Sequence, residues 1–67
     1  MSLNWEKDAF GDDWIETPRF LAVVWGDEGK GWQIVDLSGD YKLNGSESTR
    51  RDAKRVAKAE LKRLLGV

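Results

Sequence analysis

The sequence predicts an α+β fold: a small two- or three-stranded antiparallel sheet, ββ(β)α, with one C-terminal amphipathic helix on one face. Three observations carry this. Residues 20–25 (FLAVVW) and 32–37 (WQIVDL) are rich in β-branched and aromatic side chains, as strands are. Between them, Gly26-Asp27-Glu28-Gly29-Lys30-Gly31 is turn chemistry, because glycine reaches positive φ without steric cost. Beyond residue 50, Ala53, Val56, Ala57, Leu61, Leu64 and Leu65 recur at helical spacing.

Residues 1–17 read as an acidic aromatic arm ahead of a ββ(β)α unit at 18–67, within one domain. Trp5, Phe10, Trp14 and Ile15 stand there among Glu6, Asp8, Asp12, Asp13 and Glu16, with weak periodicity and room for a helical turn near Asp12–Glu16. Pro18 biases Thr17 toward extended backbone and ends what precedes it. The two strands then join most simply as a hairpin. Ser38-Gly39-Asp40 turns the chain into a short third strand, Tyr41-Lys42-Leu43, which Asn44-Gly45 is expected to break. Thr49 followed by Asp52 resembles a capping box with Asp in place of Glu, and Gly66 stands where a helix C-cap belongs.

In the first strand, Phe20, Ala22 and Val24 share one side while Leu21, Val23 and Trp25 share the other. One helix covers one face. The second is left to the aromatic arm, to a second copy of the chain in a homodimer, or to a partner, because a bare apolar patch is uncommon on a soluble monomer. With 67 residues and no cysteine to staple them, the core is thin, and the four tryptophans are its main resource. No apolar run approaches the ~20 residues that span a bilayer, and no signal-peptide pattern opens the chain, so a cytoplasmic protein without a membrane partner is expected.

Histidine and cysteine are both absent, which removes the commonest general base and the most nucleophilic side chain. The adjacent acids Asp12-Asp13 and Asp27-Glu28 sit in turn-like stretches and read as solvated surface. The glycines at 26–31 miss the phosphate-loop spacing, since Gly31 follows Lys30 where Ser or Thr belongs. The sequence therefore predicts a non-enzymatic binding module, with no catalytic residue, metal site or cofactor.

Charge is distributed unevenly. Residues 1–48 carry ten acidic and four basic side chains, a net −6, whereas residues 49–67 carry seven basic and two acidic, a net +5. On a helical wheel Arg51, Lys54, Arg55, Lys58 and Lys62 fall within an arc of about 100°. Such a ridge can track a phosphate backbone. The plainer reading is a solvated face loosely neutralised by the acidic arm. Glu60 falls inside the apolar arc, and burial of an unpaired carboxylate is costly, so a partner is expected in Arg63, Arg19 or Lys42.

Ser48-Thr49-Arg50-Arg51-Asp52-Ala53-Lys54, continuing through Ala57 and Leu61, resembles the last helix of double-stranded RNA-binding domains, whose pattern is a Ser near the cap and then K-K-x-A-K. The resemblance implies that Arg50, Arg51 and Lys54 grip phosphates across a duplex groove, reading shape. A weaker likeness is to the sheet-plus-helix DNA-binding domains of phage-type integrases, which place the sheet in the major groove. The leading expectation is nucleic-acid association through Arg50, Arg51, Lys54, Arg55, Lys58 and Lys62, by phosphate contacts without base readout. The alternative is a protein-interaction module, a small inhibitor or adaptor, anchored by Trp5, Trp14 or Trp25, since interface hot spots favour such residues.

Overall fold

Strand alternation and helical periodicity both persist in the computed structural model, which describes residues 3–25, 30–39 and 42–66. Its elements are β1 (Glu6–Lys7), β2 (Asp13–Glu16), β3 (Phe20–Val24), β4 (Gly31–Asp36), β5 (Lys42–Ser46) and α1 (Arg50–Leu65). The strands form one antiparallel sheet in the order β1-β2-β3-β4-β5, with α1 packed on β3 and β4. The α+β class with a C-terminal helix is thus observed, but the sheet has five strands where two or three were expected.

The two additional strands come from the acidic stretch 1–17, which supplies sheet rather than a covering arm or a helical turn. Asp8 builds the turn between them. Its carboxylate accepts from the N–H groups of Phe10 at 2.9 Å and Asp12 at 3.0 Å, and Gly11 takes φ +88°, where a Cβ would be strained. Beyond it Asp13 and Ile15 turn to the helix side, while Trp14 and Glu16 face outward. Pro18 sits in the next turn, held by Thr17, whose N–H and hydroxyl donate to the Phe20 carbonyl at 2.8 and 3.0 Å.

β3 and β4 pair as expected, from Phe20 opposite Asp36 to Val24 opposite Trp32. The connection across 26–29, with Asp27 and Glu28, lies outside the described residues, as do Asp40 and Tyr41. Asn44-Gly45 does not break the following strand. Gly45 lies opposite Trp32, and a Cβ at Gly45 would come within 2.7 Å of the indole, so the glycine is the residue that lets the ring lie across β5. Trp32 then donates from Nε1 to Glu47 at 3.2 Å, which satisfies its one polar atom.

The core forms where the inner sheet face meets the helix. Phe20, Ala22, Val24, Trp32 and Ile34 from the sheet, Leu3 and Ile15 from the N-terminal part, and Ala53, Ala57 and Leu61 from α1 are its buried members. The small alanines at 53 and 57 bring the helix axis close to the sheet. Gly66 takes φ +78° as the expected C-cap, and Thr49 accepts from the Asp52 N–H at 3.1 Å, the N-cap half of the expected capping box, while the Asp52 carboxylate turns to Arg55. Glu60 pairs with Arg63 at 2.6 Å, the first of the three partners considered. Arg19, the second, instead reaches Asp36 at 3.2 Å and ties the start of β3 to the end of β4.

Candidate nucleic-acid interface

The helix that buries Ala53 and Ala57 must carry the residues next to them along its flank. Lys54 and Lys58 each follow one of these alanines, and Arg50, Arg51 and Arg55 lie one turn to either side. Together with Trp5 these five side chains line a depression of about 340 Å³. Lys62 lies a turn beyond it. Five of the six cations expected from the helix sequence are thus brought to one concavity, and the sixth extends the same ridge.

Trp5 was expected as a partner-binding anchor rather than as a member of this group. Leu3, Trp5 and Lys7 alternate onto the helix side ahead of β2, with Leu3 buried and Trp5 half-buried against the core. The indole thereby forms the apolar wall of a cleft that is otherwise lined by cations, and Lys54 Nζ lies 5.8 Å from its ring centroid. The period-two placement of Leu3 and Trp5 was the available signal. The approach of α1 depends on the whole sheet.

The cations are not equivalent. Asp13 is only 3% exposed, and its carboxylate meets Arg50 at 2.6 Å, Lys7 at 3.5 Å and Lys54 at 3.9 Å. The reading of Asp12-Asp13 as solvated surface therefore fails for Asp13, whose place in β2 turns it toward the helix. Burial pushes its carboxyl upward. The hydrogen bond from Arg50 and the charges of Lys54, Lys7 and Arg50 outweigh that and hold the carboxyl below its ordinary value. Arg55 reaches Asp52 at 3.7 Å in an exposed pair that is easily displaced. Arg51, Lys58 and Lys62 pair with no carboxylate among the described residues. Asp13 thus offsets part of the charge at one end of the ridge, Asp52 pairs with Arg55, and the remaining three cations keep no carboxylate partner among the described residues.

The outward face of the sheet is separate from this cleft. Trp14, Leu21, Val23 and Val35 are half-buried there, and Trp25, 44% exposed, lies over Gly31. The arm expected to cover this face does not, because Trp14 belongs to the face itself and Leu3 and Trp5 lie on the opposite one. The three tryptophans expected as anchors are divided accordingly. Trp14 and Trp25 lie outward, and Trp5 lies against the helix.

No protein-family model, curated protein or solved structure matches this chain.

Proposed function

We propose that this protein is a non-enzymatic nucleic-acid-binding module that grips phosphates through the cationic face of α1 without reading base sequence. The observation that carries the reading is the group Arg51, Lys58 and Lys62, which pair with no carboxylate among the described residues, the first two lining one depression with three more cations. An overall charge of −1 does not oppose it, because the acidic residues are concentrated elsewhere and the field at a surface falls off within about 10 Å at moderate salt. The likeness of residues 48–54 to the last helix of double-stranded RNA-binding domains points to phosphate contacts by Arg50, Arg51 and Lys54, of which Arg50 and Lys54 are shared with Asp13. It extends no further, since β1 and β2 occupy the region where that family places its first helix. The interaction-module alternative keeps Trp14 and Trp25 on the outward sheet face and loses Trp5, which lies against the helix.

The test is fluorescence anisotropy with labelled nucleic acid of mixed sequence at increasing salt. Affinity should fall steeply, and Arg51→Ala with Lys58→Ala should weaken binding to all sequences alike. The salt slope should drop by about one for each phosphate that is no longer neutralised. Affinity indifferent to salt and to both substitutions rejects the reading.

A further inference from the structure

Phosphate binding alone gives no reason for an indole in the cationic cleft. Half-buried, Trp5 serves the core with part of its ring and leaves the rest to the depression, beside Arg50, Arg51, Lys54, Arg55 and Lys58. At about 340 Å³ the depression falls at the lower end of the ~300–1,000 Å³ typical of small-ligand sites, which suits one flat heterocycle. The combination of an aromatic face, flanking guanidinium groups and the Lys58 ammonium, which pairs with no carboxylate among the described residues, is the chemistry that receives a base together with its phosphates. A paired base cannot use it, because in a duplex its faces are already stacked and the phosphates stand outside them. An unpaired base can turn in and lie on the ring as the flexible Lys54 side chain, whose Nζ lies 5.8 Å from the ring centroid, moves toward the phosphates.

We infer that the Trp5 cleft takes one unpaired nucleobase stacked on the indole, with Arg51 and Lys58 holding the adjoining phosphates, so that the protein prefers single-stranded to duplex nucleic acid. This rests on the reading of α1 as a phosphate-binding surface. Arg55, whose pair with Asp52 is exposed, lines the same depression and supplies a further guanidinium beside the base.

The experiment compares the intact protein's affinity for three labelled probes: a short oligothymidylate, an abasic strand of the same length, and a duplex of the same length. The oligothymidylate should bind about ten-fold tighter than the abasic strand, the size expected for one stacked base, and tighter than the duplex. Trp5→Leu should abolish the advantage over the abasic strand, and Trp5→Phe should keep much of it. The probe comparison uses the unaltered chain, so it stands even if Trp5→Leu fails to fold. Equal, salt-sensitive affinity for oligothymidylate and abasic strand overturns the stacking inference and leaves the phosphate reading intact. Tighter binding of the duplex overturns the strand preference. Binding of none of the three at low salt overturns both readings.

Discussion

Asp13 Oδ2 lies 2.6 Å from Arg50 Nη1, joining the second strand of the sheet to the first turn of the helix across 37 residues of sequence. The carboxylate is buried and the guanidinium partly so, with Lys7 and Lys54 completing a cluster of three cations about one acid. The pair fastens an N-terminal hairpin that has little core of its own. It also sets the electrostatics at one end of the candidate interface.

Removal of that carboxylate should be costly, because it leaves Arg50 in a partly buried site without its buried counter-ion. Asp13→Ala is expected to lose about 1–3 kcal/mol, below the range for a fully buried pair since the cations retain some access to water. Urea denaturation monitored by circular dichroism measures this. Asp36→Ala should cost less, because Arg19 is mostly exposed, although the bonds from the Ser38 N–H and hydroxyl to Asp36 also disappear.

Acid should find the same pairs. Asp13 and Asp36 both ionise below the ordinary carboxylate value. For Asp13, burial acts against this and the Arg50 bond and neighbouring cations prevail; for Asp36, the Ser38 hydrogen bonds and then Arg19 are responsible. A carboxyl with a depressed folded pKa gives its full stabilisation above the unfolded value, about 3.9, and loses it as pH falls through the lower folded value. Thermal unfolding from neutral pH downward should therefore show stability declining below about pH 4. Asp13→Asn should start from lower stability and show a shallower decline, retaining the Asp36 part. An unchanged slope would separate Asp13 from the acid transition.

Gly45 and Gly31 offer a controlled comparison, since an added Cβ meets an indole at 2.7 Å in the first and 2.6 Å in the second. Trp32 over Gly45 is 5% exposed and fixed between the sheet and helix, so it cannot yield. Trp25 over Gly31 is 44% exposed and can swing into solvent. Gly45→Ala should cost about 1–3 kcal/mol as an overpacking change, and Gly31→Ala well under about 1 kcal/mol. Chemical denaturation of the two variants decides it. Equal losses would mean that Trp25 is also immobilised.

These pairs show which parts of the fold are legible in the sequence. The helix is written in local chemistry: Thr49 as cap, Gly66 as terminator, and apolar residues spaced along one face. β3 and β4 are legible because their side chains suit a sheet wherever it lies. β1 and β2 are not, because they have only two and four residues and acquire their structure from pairing of β2 with β3, of β1 with β2, and from Arg50. Asp13 looks like a surface acid until its distant partner is known. Asn44-Gly45 looks like a turn until Trp32 lies across it. The candidate site divides in the same way. Its cations follow from one helical wheel, whereas Trp5 joins them only through tertiary packing.

Leu61 should be the most sensitive single position of the helix. It is fully buried against the sheet, and truncation to alanine in such sites costs about 2–5 kcal/mol. A domain of this size has only about 5 kcal/mol to lose, so Leu61→Ala should be largely unfolded at about 37 °C. Thr49→Ala, which removes only the cap, should cost about 1 kcal/mol and leave a folded protein. Thermal melts of the two separate tertiary burial from local helix chemistry.

Asp13 also allows the phosphate reading to be tested by a gain rather than a loss. Its negative charge lies beneath the Arg50–Lys54 end of the ridge, where it lowers the positive potential met by a phosphate. Asp13→Asn keeps the shape and removes the charge, so the field of Arg50 and Lys54 is no longer offset from below. If the ridge binds phosphates, oligonucleotide affinity at low salt should rise several-fold even though the protein is less stable. The salt slope should steepen by roughly one for each cation released. A general loss of structure would lower affinity, so the two effects have opposite signs and are told apart by one titration. Affinity that falls in proportion to stability would place the binding surface away from α1.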